Sequence, residues 1–254
     1  MNRIVTILLA AGLLLGFGTA ADAVTILGTG TGALVGGDIT DPQDDIVDNT
    51  GDLLGGTASS GKNFNWISSA TNESNYFGDP SSTNRQGALD LFDNKADGST
   101  NSKWCCGGAS TANPKWVALE FANAYFLESF TITSGGDAAW RRPTEWEIQG
   151  SNDGTNFTTI HSQSGSVWSA HKQVVLFESD TANPGSPDYA TPDAYRYFRY
   201  SATNTLGGSG RSPGQEHQLE EIEYFGSVVP EPTTLLIWSL LTGLGVALGG
   251  RRRK

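Results

Sequence analysis

The run Trp146–Glu147–Ile148–Gln149–Gly150–Ser151–Asn152–Asp153–Gly154 decides the reading of this chain. Trp146 and Ile148 stand two apart, so an extended backbone puts them on one face and Glu147 and Gln149 on the other. Ser-Asn-Asp-Gly then closes the run, and Asp-Gly is the dipeptide that most readily supplies the positive φ of a hairpin turn. The same grammar repeats on both sides. Val117, Leu119 and Phe121 share one strand face, Phe130 and Ile132 the next. Phe157–Ile160, Gln173–Phe177, Tyr195–Tyr200 and Gln218–Phe225 continue the series. No 12-residue segment between the two chain ends has a 3.6-residue apolar period. Short strands separated by polar turns predict an all-β sandwich or jelly roll.

Composition agrees. The 254 residues include 32 Gly and seven Trp, and aromatics make up 10%, which gives a core former rather than a disordered chain. The net charge is −11, and such a polyanion is repelled by phosphate backbones, so nucleic acid is excluded as a partner. Two cysteines cannot build a disulfide scaffold.

The ends read as addresses. Arg3 precedes the apolar run Ile4–Gly18, and Ala21–Asp22–Ala23 places small residues where a signal peptidase cuts, so residues 1–23 are expected to be a signal peptide. Residues 24–59 form a Gly/Asp-rich segment, in which Asp38, Asp41, Asp44, Asp45, Asp48 and Asp52 read as a solvated acidic loop. Residues 60–226 hold the strands. Pro230–Glu231–Pro232 comes next, then the uncharged stretch 233–250, then Arg251–Lys254. At ~1.5 Å per residue that stretch approaches the thickness of a hydrocarbon core, and its basic end stays cytoplasmic. A single transmembrane helix is expected there.

That three-part tail, residues 229–254, resembles the PEP-CTERM sorting signal of Gram-negative bacteria. The resemblance implies export, transient anchoring in the inner membrane, cleavage by an exosortase near Pro230, Glu231 and Pro232, and release to the cell surface or matrix. A second resemblance rests on Trp116–Phe121, Trp146–Gly154, Tyr197–Tyr200, Glu221–Gly226 and the upstream Asp97–Trp104, in that order. Together these resemble the discoidin family, the coagulation-factor C-type domains and their galactose-binding-like relatives. What this implies is an eight-stranded jelly-roll β-sandwich with both termini at one end and a binding role without catalysis. The ligand would be a carbohydrate or a matrix polymer, held by loops at one end. The alternatives are a structural matrix protein making protein contacts without a sugar site and, further off, a glycoside hydrolase.

The family resemblance also implies a structural calcium. The spacing D-G-x-x-x-[ST]-x-W is met by Asp97, Gly98, Ser102 and Trp104, a second register uses Asp93, and Glu221 would close the site. Calcium takes six to eight oxygens. Sugar sites pair an aromatic ring, for the C–H face of the sugar, with donors to its hydroxyls. The loop residues of those types are Trp140, Arg141, Arg142, Trp168, His171 and Arg211.

Catalytic motifs fare worse. Gly210–Gly214 spells G-x-S-x-G, but the residue after Ser212 is Pro213, which has no N–H for an oxyanion hole. Gly56–Lys62 fits a phosphate-binding loop until Asn63, where Ser or Thr is needed. Glu145/Glu147 and Glu221/Glu223 each share a strand face about 7 Å apart, without an evident cleft. The adjacent Cys105 and Cys106 are either a vicinal disulfide or two thiols.

Overall fold

A computed structural model describes residues 24–40, 64–68, 87–98 and 103–229. The expected signal peptide, most of the acidic segment, Ser102, the Pro230–Glu231–Pro232 tripeptide and the stretch 233–250 where a transmembrane helix was expected lie outside the described residues. Among the described residues no helix is long and apolar enough to cross a membrane.

The strands are β1 (Thr25–Thr29), β2 (Phe64–Ser68), β3 (Trp104–Cys105), β4 (Lys115–Ser134), β5 (Pro143–Ser151), β6 (Thr158–Ser164), β7 (Gln173–Glu178), β8 (Tyr195–Thr205) and β9 (Gln218–Val228). Every named pairing between them is antiparallel. Nine strands are seen among the described residues where eight were expected, and two runs expected as separate strands are one. The link Ala122–Asn123–Ala124 has no Gly or Pro to stop extended backbone, so β4 bends instead. Its register slips between Glu120 and Tyr125.

That bend makes the sandwich. The first half of β4 pairs with β2 and β8, and the second half pairs with β7 and β9. One layer is therefore β2-β4-β8-β5-β6 and the other β1-β7-β4-β9-β3. Their inner faces meet in an aromatic core. Phe130 stacks on Phe177 at 4.9 Å, and Trp146 meets Phe177 edge-on at 5.5 Å across the interface. Phe198 and Tyr224 approach at 5.7 Å. Each such pair adds about 0.5–1.5 kcal/mol beyond the area it buries.

The Asp-Gly turn holds, but as a longer loop over residues 152–157. Asp153 accepts from the backbone N–H of Thr155 at 2.8 Å and of Asn156 at 2.7 Å, which stabilises the wider turn over the two-residue form. Gly154 sits at φ +70, where a side chain would be strained.

A bulge in β9 has functional weight. Thr133 faces Glu221 while Ser134 faces Leu219, so one extra residue is inserted and the alternation flips. Leu219, Ile222 and Tyr224 all enter the core. Strict alternation would put Glu221 and Glu223 on one face with both Leu219 and Phe225; the flip moves Leu219 to the core face, while Glu221 and Glu223 stay with Phe225 on the opposite one.

Candidate functional site

Strands β4, β6 and β8 end, and β5, β7 and β9 begin, at one pole of the sandwich. The connections there are residues 135–142, 165–172 and 206–217. The short 3-10 turn Ala139–Arg141 holds Trp140 and Arg141 over this pole. Arg141 Nε donates to Glu216 Oε2 at 2.6 Å, and Arg211 Nη1 lies 2.9 Å from Glu216 Oε1. The Trp140 indole N–H faces the same carboxylate. Burial raises the Glu216 pKa, but the Arg141 hydrogen bond and the charges of Arg141 and Arg211 outweigh it and leave the carboxyl below its usual value. Asp137 balances the outer side, 3.3 Å from Arg141 Nη1 and 3.1 Å from Lys103 Nζ. The Trp140 ring is half-buried and has the Arg141 guanidinium 5.9 Å from its centroid.

Three of the six candidate ligand residues thus come together: Trp140, Arg141 and Arg211. Two others are corrected by their burial. Trp168 is 4% exposed, its indole N–H donates to the Ile132 carbonyl at 3.3 Å, and its ring packs 6.3 Å from Trp146. Arg142 is 6% exposed and donates to the Trp168 carbonyl at 3.2 Å. They are scaffold, because a loop connecting two layers must bury something to be held. His171 is exposed on the neighbouring loop, its Nδ1–H donating to the Gly135 carbonyl at 3.2 Å.

The floor of the pole is tied down from β3. Cys105 and Cys106 are joined in a disulfide, and the chain beyond them runs along the 206–217 loop. The His217 N–H donates to the Gly107 carbonyl at 3.0 Å and the Ala109 N–H to the Gly214 carbonyl at 2.8 Å. His217 itself is buried, 2.9 Å from the Tyr200 hydroxyl and 5.0 Å from the Trp104 ring. Burial, with the Lys115 charge, pushes its pKa down to about 3.

A second polar cluster lies on the other side of the β9 bulge. Glu221 is fully buried, and neither of its carboxylate oxygens closes a hydrogen bond. Burial, followed by the Asp93, Asp38 and Glu223 carboxylates, drives its pKa well above the usual range, with the Asn94 amide a partial counterweight. Asp93 and Asp38 are 4% and 5% exposed. Glu223 is satisfied, accepting from Thr131 Oγ1 at 2.6 Å and from the Val35 and Gly36 N–H groups, and so pins the N-terminal segment. Of the two calcium registers, the structure brings Asp93 to Glu221. Asp97 is exposed and acts on Glu220, the bulged residue, whose carboxylate accepts from the Gly98 N–H at 3.1 Å. Asp97 therefore does not join Glu221, because the bulge aims Glu220 at its turn. Among the described residues no three His, Cys, Asp or Glu side chains converge at metal-binding geometry. Orphaned oxygens on Glu221 and a buried neighbouring Asp93 fit a hard cation in charge and burial, with other oxygens needed to complete its shell.

Two participants were not foreseen. Glu216 sits in a Gly-rich run with no spacing signal of its own. Asp38 was read as solvated, since only the fold shows that it comes to lie beside a residue 183 positions later.

No curated protein sequence matches the chain. Solved structures similar to it include CBM32-3 from a family 31 glycoside hydrolase of Clostridium perfringens, at 17% identity and TM-score 0.43, covering 56% of this chain and 84% of that one. A second C. perfringens module, CpGH89CBM32-5, solved in complex with GalNAc-β-1,3-galactose, shares 18% identity with TM-score 0.42, covering 64% and 95%. A putative chitobiase fragment from Bacteroides thetaiotaomicron shares 15% with TM-score 0.46, covering 70% and 96%. Residues 94–183, which carry β3 to β7 and the Trp140–Arg141 turn, match the F5/F8 type C family, described as a NedA-like galactose-binding domain.

Proposed function

We propose that this chain is an exported, non-catalytic module that binds carbohydrate at the loop pole. The observation that carries it is the gathering of Trp140, Arg141 and Arg211 around Glu216, with Trp140 and Arg141 on the segment similar to galactose-binding domains and Arg211 and Glu216 beyond it. The Trp140 ring offers a flat apolar face for the C–H side of a pyranose. Arg211, 54% exposed at its side chain, offers N–H donors to hydroxyls while Glu216 holds it in place. Binding of this kind needs no proton transfer, in keeping with a Glu216 carboxyl kept ionised by two guanidinium groups.

The test is a glycan array read with the full chain and with Trp140→Ala. Loss of a specific signal in the variant supports the reading, and an array blank with the unaltered protein overturns it.

Export and tail processing complete the proposal. The signal peptide would direct the chain out, and an exosortase would cut near Pro230–Glu231–Pro232 after transient inner-membrane anchoring. The intact mass of the protein recovered from the cell surface tests this, since an unprocessed tail sinks it. A structural calcium would be held by Glu221 and Asp93, where its positive charge compensates carboxylates that the fold has stripped of water.

A further inference from the structure

We infer that the Cys105–Cys106 disulfide is a redox latch on the loop pole: opened by an external dithiol, it releases the loop that carries Arg211 and Glu216. What the loop then loses is its grip on a ligand, a consequence that rests on the loop-pole reading. Cys105 ends β3 opposite Gln218 of β9, and the chain beyond it runs alongside residues 214–217. Backbone bonds join the two segments, from the His217 N–H to the Gly107 carbonyl at 3.0 Å and from the Ala109 N–H to the Gly214 carbonyl at 2.8 Å. They fall on either side of Glu216, the carboxylate that grips Arg141 and Arg211. Gly108 lies between them, where a Cβ would stand 3.0 Å from the Gly214 carbonyl oxygen, so the backbones meet with no side chain in between. The place of Glu216 is therefore set by the course of residues 106–109, and that course starts from the disulfide.

What this bond supplies is local. A cross-link stabilises a fold through the loop it closes in the unfolded chain, and this one joins neighbours in sequence, so it closes nothing beyond its own ring. With the bond open, the backbone after Cys105 regains rotations the ring forbids, and the two bonds around Glu216 lie nearest to that freedom. Gly214 keeps a second tie, its N–H donating to Thr205 Oγ1 on β8 at 2.9 Å, so the loosening centres on Glu216 and His217. Cys105 is buried and Cys106 is partly exposed, so an attacking thiolate meets Cys106 Sγ first. The dithiol's first sulfur forms a mixed disulfide with Cys106 while Cys105 leaves as a thiolate and takes up a proton. The dithiol's second sulfur then displaces Cys106, which is protonated in turn. Two electrons and two protons have passed to the protein, and the dithiol ends as a disulfide. The chain holds two cysteines in all, so no third thiol competes for the opened pair.

The experiment compares the full chain before and after dithiothreitol in the absence of denaturant, with thiol titration to follow the opening. Hydrogen exchange at the His217 and Ala109 amides is expected to quicken at least about tenfold on reduction. The melting midpoint should move by under about 3 °C, since the unfolded chain is barely constrained by the bond. Oxidised glutathione should restore the protection. Affinity for the strongest glycan on the array should fall at least about fivefold on reduction. The double variant Cys105→Ser, Cys106→Ser should exchange as the reduced chain does and ignore dithiothreitol; the reduced unaltered chain gives the same reading where that variant does not fold. A bond that dithiothreitol leaves closed, amides that exchange at one rate in both states, a midpoint that collapses on reduction, or a glycan affinity indifferent to it overturns the latch. An array blank with the oxidised chain overturns the loop-pole reading alone, and the exchange rates then decide the latch.

Discussion

Two carboxylate clusters stand five residues apart in the chain, Glu216 in the loop before β9 and Glu221 on β9 itself, and they are built on opposite terms. At the loop pole Glu216 is met by Arg141 and Arg211, keeps access to water, and titrates below its usual range. Past the bulge, Glu221 is sealed beside Asp93 and Asp38 with no cationic side chain among its strongest influences, and titrates far above it. A compensated, accessible cluster can give its donors to an incoming ligand at little cost. A buried Glu221 whose oxygens lack hydrogen-bond partners, beside an Asp93 that Lys95 meets at 3.7 Å, destabilises the fold until a cation or a proton arrives. In the function proposed above, the difference separates a recognition surface from a structural device, although sequence spacing treats both simply as acidic residues near the C-terminal strand.

The largest effect expected bears on the floor beneath the loop-pole cluster. His217 has a folded pKa of about 3 against roughly 6.5 when unfolded. The unfolded chain therefore binds the extra proton between those values, and stability is lost as pH falls from about 6.5 toward 3, by a ceiling of roughly 5 kcal/mol. Chemical denaturation at several pH values checks this; a His217→Gln variant with an equally steep acid limb would place the loss elsewhere.

Trp168→Ala comes next, at about 3–5 kcal/mol, because it removes a core ring beneath the loops. Thermal melting should register it, whereas Trp140→Ala should barely move the melting midpoint. If the two variants melt alike, the division between scaffold and reading surface fails.

Calcium removal sharpens the contrast from the other side. With the ion at ~100 times its Kd, chelation should cost about 2.7 kcal/mol, or roughly 5–10 °C in midpoint. The Glu221→Gln variant should show no such response, and Glu216→Gln should keep it. A midpoint indifferent to chelator in the unaltered chain removes the metal from the proposal.

The smallest effect is that of Arg141→Ala, about 1 kcal/mol in stability, since its ion pair with Glu216 keeps contact with solvent. Its larger consequence should be a weaker glycan signal from a loosened Arg211 and Trp140. A variant that binds normally would make Arg141 scaffold like Arg142.

The alternation of Trp146 with Ile148, and of Val117 with Leu119 and Phe121, determined the all-β sandwich, because a period of two has one structural meaning when repeated around polar turns. Residue type was also enough to nominate Trp140, Arg141 and Arg211, whose side chains carry their chemistry wherever they fall. What only the tertiary structure decided was who meets whom. The fusion of two expected strands into bent β4, the insertion of Glu220 that turns Glu221 away from Leu219, and the sinking of Trp168 and Arg142 all follow from strand pairing across distant segments. Burial and charge compensation are properties of neighbours, and a β-sandwich draws those neighbours from everywhere along the chain, as Asp38 beside Glu221 shows.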